Sequence, residues 1–305
     1  MIISSLTQIE TRARQNRKEV NILCVQPYDC STIEALSSVK SWGDNYRLTL
    51  FGNRKEMLYC GEDEWFADAD IFEGESEEEN ASKAIEMIPR MHSALLMKGL
   101  VNTAVFLKAL LKSEIVRTSG RLISHVSCLE IPGFERLLFI TDGTVNVAPD
   151  LKAKMCIVDN VARFVRSLGQ KMPKIAIVGI NERITPSNQD LLDGAVLSKM
   201  AERGEFGDCY VDGPMPLDTA IKKDAAQKKG ILSPVGGEAD ILVCSNLESA
   251  ANLIKGLVHL GNASTAGLLL GAGFPVVLTS RSDSKESKRI SLAMAIINTL
   301  EAGEE

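Results

Sequence analysis

The sequence predicts an α/β protein of two domains built on largely parallel sheets. Three observations lead there. Short apolar runs alternate with longer stretches of helical periodicity, which implies strand–helix–strand units. The chain has 305 residues, more than one hydrophobic core usually fills. A single predicted hairpin interrupts the alternation and marks a change of domain.

Taken in order, the first strand covers 22–25 and ends at Gln26-Pro27; a helix follows over 32–42 and a second strand over 47–51. The acidic stretch from Asp68 to Asn80 leads into a helix over 77–88. Acids favour the positive end of a helix, and a metal cage is the alternative. Strand 94–97 runs through Lys98-Gly99 into a helix over 103–111. The hairpin is 122–129 and 137–141, joined through Ile131-Pro132-Gly133-Phe134. Helices over 151–168, 187–203, 216–227 and 247–260 then alternate with strands over 175–178, 209–211 and 241–244. Strands 267–270 and 275–278 precede a last helix, 284–300, with Ile290, Ala293, Met294 and Ile297 on one face. That helix is expected to return to the first domain. Residues 1–121 and 281–305 then form one α/β domain, 122–280 form the other, and the active site is expected in the cleft between them.

Composition narrows the function. A net charge of −6 offers nothing to hold a nucleic-acid backbone, and 5% aromatics offer no base-stacking surface. No apolar run approaches the roughly 20 residues that cross a bilayer. No partner of either kind is expected, and the location expected is the cytoplasm. Seven cysteines without a C-x-x-C pair read as reduced thiols. The three histidines lack metal-ligand spacing, and no Walker A, G-x-S-x-G or Rossmann glycine motif occurs. No metal is expected.

The chemistry concentrates where strands end, which is where open parallel sheets bind ligands. Thr279-Ser280-Arg281-Ser282-Asp283 joins a buried strand to a helix. Arg281 offers a planar fork of donors for an anion, and a helix start offers free N–H groups. Asp283 stands three residues before Glu286, so it is either a helix cap or an acid–base residue. Lys98-Gly99, with Asn102-Thr103 opening a helix, is a second anion-type turn, where glycine lets backbone approach a ligand. Thr141-Asp142 with Asn146 ends a third strand, and Ser124-His125 lies on the hairpin.

Together these segments resemble the phosphate acyltransferases, the phosphotransacetylase and phosphotransbutyrylase family. The resemblance rests on Leu96-Met97-Lys98-Gly99, Ile123-Ser124-His125-Val126, Thr141-Asp142 with Asn146-Val147-Ala148-Pro149-Asp150, Asp212-Gly213-Pro214 and Leu278-Thr279-Ser280-Arg281 with Asp283-Ser284. The Met-Lys-Gly, Ser-His-Val and Thr-Ser-Arg forms are more similar to the butyryl branch. The resemblance implies a fold like that of isocitrate and isopropylmalate dehydrogenases. It implies reversible transfer of a short acyl group between coenzyme A and phosphate, without a covalent acyl-enzyme, in a homodimer or larger homo-oligomer. Coenzyme A enters as a substrate, and no tightly bound cofactor is implied.

On this footing Asp283, Ser280 and Arg281 are the expected catalytic residues. Lys98, Gly99, Thr103, Ser124, His125, Thr141, Asp142, Asn146, Asn252, Lys255 and Thr279 are the expected substrate-binding ones. Two departures stand out. The transacetylase branch places a carboxylate six residues after its arginine, where this chain has Ser287. The segment 245–255 keeps Asn252 and Lys255 but lacks the family's proline, aspartate, glycine and tyrosine. A non-catalytic ligand-binding descendant and a metal-dependent dehydrogenase on the same fold are the competing readings.

Overall fold

A computed structural model describes residues 3–60 and 68–302. Its contacts divide the chain into two compact units: Thr7–Arg121 with Ala266–Glu305, the outer-chain unit, and Met1–Leu6 with Leu122–Thr265, the mid-chain unit. Residues 266–280, assigned from sequence to the middle segment, pack with the outer-chain unit.

The outer-chain unit is built on β1 (Val20–Val25), β2 (Tyr46–Phe51), β3 (Asp70–Phe72), β4 (Ala94–Lys98), β10 (Ser264–Leu270) and β11 (Val276–Val277). Their order is β3-β2-β1-β4-β11-β10. All pairings in it are parallel except β10 with β11. β1 sits between β2 and β4, with Leu23 opposite Leu96 and Thr49. Being covered on both faces, its residues from Ile22 to Val25 are all fully buried. The sequence reading omitted β3, whose three residues are partly exposed and form no apolar run.

The α-helices among the described residues are α1 (Leu6–Arg14), α2 (Cys30–Lys40), α3 (Arg54–Met57), α4 (Glu77–Met87), α5 (Thr103–Lys112), α6 (Glu114–Ser119), α7 (Leu151–Ser167), α8 (Gln189–Glu202), α9 (Leu217–Ile221), α10 (Lys223–Lys228), α11 (Leu247–His259) and α12 (Lys285–Ala302). Three helices of the outer-chain unit position the candidate site. α2 (Cys30–Lys40) starts at Asp29, which caps it by accepting from Thr32 N–H. α4 (Glu77–Met87) starts at Ser76, with three glutamates in its first turn. That arrangement matches the helix-start account of the acidic stretch. α12 (Lys285–Ala302) packs on β4, β11 and α2 and is buried almost all round from Leu292 to Ile297.

The mid-chain unit has the strand order β5-β6-β9-β7-β8. β5 (Ser124–Glu130) and β6 (Leu138–Thr141) are the expected hairpin, with Cys128 opposite Phe139. β7 (Lys174–Val178), β8 (Tyr210–Met215) and β9 (Ile241–Val243) add in parallel. The helix expected over 216–227 is two short ones, because Lys222 is extended. α11 (Leu247–His259) turns Leu253, Ile254, Leu257 and Val258 onto a core that includes Ile140 and Leu242. Fully burying such a side chain is worth about 1.5–3 kcal/mol, and these four, partly buried, each contribute less.

Cys30 and Cys60 are bonded as a disulfide across 30 residues, which corrects the expectation of seven reduced thiols. The fold brings the start of α2 against the turn that follows the short helix Arg54–Met57, leaving the two Cα atoms 4.8 Å apart, within bridging range. The sequence gives no sign of that approach. Burial raises the thiols of Cys24, Cys128 and Cys244 well above the ordinary value, so these three act as small hydrophobes.

Candidate active site

In the outer-chain unit, Lys98 ends β4 and is only 2% exposed. Among the described residues its ammonium donates to the Gly99 carbonyl at 3.0 Å, one bond for three donors. Burial, then the charges of Arg281 and Lys288, hold it below the ordinary lysine value. A buried cation short of partners beside two more cations is a place for an anion.

Arg281 is exposed and donates from Nη2 to the Leu100 carbonyl at 3.4 Å, which ties the 279–284 turn to the segment after β4. Asp283 does not cap α12. Ser284 does, accepting from Ser287 N–H at 3.2 Å, so the cap lies one residue after Asp283 and the expected Asp283–Glu286 capping box does not form. Asp283 folds back and accepts from Ser280 N–H at 2.7 Å. Burial raises its carboxyl above the ordinary range, and the Ser280 N–H and Lys288 pull against that rise. A carboxylate raised toward neutrality is a better proton acceptor at physiological pH. The Ser280 N–H is consequently occupied and is not a spare donor for an oxyanion. The Ser280 hydroxyl lies 3.0 Å from that of Ser282. Thr279 is buried at the base of the turn.

Sequence reasoning missed Lys288 and Asp29. Lys288 is 2% exposed, and its Nζ reaches Asp29 Oδ1 at 2.6 Å, Ser31 Oγ at 2.7 Å and Thr32 Oγ1 at 3.0 Å. Burial pushes Asp29 up, but the bonds from Lys288, Ser31 and Thr32 outweigh it and settle the carboxyl at about 2. The available signal was a lysine in line with Leu292 and Ala295, on the side of the helix that turns inward. Ser287, at the position where the transacetylase branch carries a carboxylate, is buried, and its hydroxyl has no partner among the described residues.

The glycine after Lys98 serves the fold. A Cβ on Gly99 would come within 2.2 Å of the Gln26 carbonyl, so the close approach is to β1's exit rather than to a ligand. Thr103 is exposed at the first position of α5 (Thr103–Lys112), but Asn102 Oδ1 already accepts from Ala104 and Val105 N–H. That helix start is therefore partly satisfied without an anion.

The remaining expected residues lie in the mid-chain unit. Asp142 accepts from Thr144, Val145 and Asn146 N–H and from Asn146 Nδ2, which uses its carboxylate locally. Asn146 Nδ2 also donates to the Ile123 carbonyl, and Thr141 Oγ1 to the His125 carbonyl. Ser124 Oγ accepts from Asn160 Nδ2 at 3.0 Å. His125 is buried with Nδ1 unpartnered among the described residues, and burial lowers its pKa so that the neutral ring is favoured. Asn252 and Lys255 are exposed on α11.

Comparison with known proteins gives one family throughout. Residues 73–296 match the family described as Phosphate acetyl/butaryl transferase. A phosphate butyryltransferase of Clostridium acetobutylicum is 42% identical over 217 residues, 71% of this chain and 72% of the relative. A phosphate acetyltransferase of Thermotoga maritima is 39% identical over 220 residues, 72% of this chain and 75% of the relative. Among solved structures, a branched-chain phosphotransacylase from Enterococcus faecalis V583 aligns with a TM-score of 0.78 at 27% identity, covering 92% of this chain and 99% of that one. The chain belongs to the phosphate acetyl/butyryl transferase family of acyltransferases.

Proposed function

We propose that this chain moves a short acyl group, butyryl or close to it in size, between coenzyme A and inorganic phosphate. The observation that carries this reading is the buried, under-bonded Lys98 beside Arg281, with Asp283 on the same turn as the arginine. Lys98 and Arg281 hold the phosphoryl oxygens. Their positive charge is worth most in such a partly desolvated place.

Asp283 takes the proton from the coenzyme A thiol. The thiolate attacks the acyl carbonyl of the acyl phosphate, the carbon–oxygen bond to phosphate breaks, and phosphate leaves with the electron pair. Running in reverse, phosphate attacks the thioester and Asp283 returns the proton to sulfur. Because Ser280 N–H is held by Asp283, the Ser280 hydroxyl is the serine's remaining donor toward a tetrahedral oxyanion. Holding both reactants together removes much of the entropic barrier.

The butyryl preference is supported by the Met-Lys-Gly, Ser-His-Val and Thr-Ser-Arg forms. The altered 245–255 segment is absorbed by the fold: Ser245 Oγ donates to the Val178 carbonyl, and Asn246 caps α11. This favours a working enzyme over a non-catalytic descendant. The test is to mix the protein with butyryl-CoA and follow free thiol. Release that requires phosphate is expected. Absence of release with acetyl-, propionyl-, butyryl- and isobutyryl-CoA would overturn the reading.

A further inference from the structure

Four consecutive residues, Asp29 to Thr32, open α2, and each is tied to a residue distant in sequence. Asp29 Oδ1, Ser31 Oγ and Thr32 Oγ1 hold the Lys288 ammonium of α12. Cys30 holds Cys60 through the disulfide. The bridge and the lysine therefore share one turn of one helix. Lys288 stands in the first turn of α12, directly after the 279–284 turn that carries Arg281 and Asp283. Its charge acts on both Lys98 and Asp283. α2 and α12 also pack against each other.

Two observations bear on what the bridge is for. Cys30 is exposed and Cys60 half-buried, whereas Cys24, Cys128, Cys209 and Cys244 are buried. An exposed disulfide is open to attack by a thiol, and bridges of that kind are the labile and regulatory ones. The outer-chain unit also has an apolar core of its own, running through β1, β4 and α12. Disulfides serve as staples chiefly in small domains that lack such a core.

We propose that the Cys30–Cys60 bridge is a redox latch on the phosphate site. Formed, it fixes the first turn of α2, which seats Lys288 and with it the helix start that follows Arg281 and Asp283. Opened, that turn gains freedom, the site loses preorganisation and phosphate binds more weakly. The chemistry is exchange with a small thiol. A thiolate attacks the exposed Cys30 sulfur, the bond to Cys60 breaks, and the Cys60 sulfur leaves with the electron pair and takes a proton. A second thiolate attacks the sulfur of the small thiol in this mixed disulfide, and Cys30 leaves as a thiol. Two small thiols are oxidised to one disulfide, and the bridge is reduced to two cysteines. A small-molecule disulfide drives the reverse. The inference rests on the acyl-transfer reading for the identity of the anion.

The experiment is calorimetric titration of the whole chain with inorganic phosphate, which needs no turnover. One sample is first treated with oxidised glutathione and the other with dithiothreitol, and both are desalted. The bridged form is expected to bind phosphate about fivefold more tightly than the reduced form. Cys60→Ser, which cannot bridge, is expected to match the reduced form after either treatment. Equal Kd values for bridged and reduced wild type overturn the inference and leave the acyl-transfer reading standing. A response to dithiothreitol that persists in Cys60→Ser overturns it, and so does phosphate binding by neither form at millimolar concentration. Alkylation of all seven cysteines after the glutathione treatment overturns it too, since no bridge has then formed. Absence of phosphate-dependent thiol release, with a phosphate Kd that still follows the bridge, would sink the acyl-transfer reading and leave the latch standing.

Discussion

At the scale of single residues, Lys98 carries a cost that the fold does not need. A buried ammonium with one protein hydrogen bond is destabilising unless an anion joins it. Lys98→Met is therefore expected to melt at or above the wild-type temperature in phosphate-free buffer while raising the phosphate KM at least tenfold. A lower melting temperature with an unchanged KM would make Lys98 structural. Asp283→Asn is expected to lower kcat by about 10²–10⁴-fold with little change in phosphate KM. The base works ionised, and burial raises its pKa, so the rate falls as pH drops through that raised value. The acidic limb of the kcat/KM profile should lie above the ordinary carboxylate range and vanish in Asp283→Asn. A limb that persists in the variant would assign it to another group. The turn that carries Arg281 and Asp283 was legible in the sequence as a polar end to a buried strand, with the role of Asp283 left open between cap and acid–base residue. Lys288 and Asp29 were not, because each is explained only by the other, 259 positions away.

At the scale of elements, the Lys288–Asp29 pair fastens α12 to the start of α2. The lysine alone would face the positive end of α2, and the capping aspartate between them offsets that repulsion. Removing Asp29 leaves a buried cation unpaired. Asp29→Asn is expected to lower the unfolding free energy by about 2–3 kcal/mol, less than the 3–5 kcal/mol of a fully buried pair because Asp29 is partly exposed. Its folded pKa, about 2, lies below the unfolded value. The stabilisation is therefore present above about pH 4 and is lost as pH falls through about 2. Urea midpoints of wild type and variant should converge over that window, and a constant gap would contradict the pairing. The disulfide from Cys30 belongs to the same corner. Alkylation of denatured, unreduced protein should label Cys24, Cys128, Cys156, Cys209 and Cys244 and spare Cys30 and Cys60; labelling of all seven would remove the bridge.

At the scale of the whole chain, the long apolar strands and the hairpin were readable because burial on both faces writes continuous hydrophobic runs. β3 and the break at Lys222 were not readable, because they depend on neighbours in space. The same limit separated residues that look alike on paper. The Lys98 turn keeps a cation short of partners, whereas the Asp142 turn satisfies itself with four N–H donors. Pattern finds both as polar strand ends, and only the hydrogen-bond accounting tells which one leaves a charge short of partners. The account as a whole therefore depends on an anion site completed by Arg281. The most direct measurement is the initial rate of thiol release from butyryl-CoA at varied phosphate, for wild type and Arg281→Ala. The expected result is a phosphate KM raised about 10- to 150-fold with the butyryl-CoA KM little changed. A phosphate KM equal to that of the wild type would contradict it.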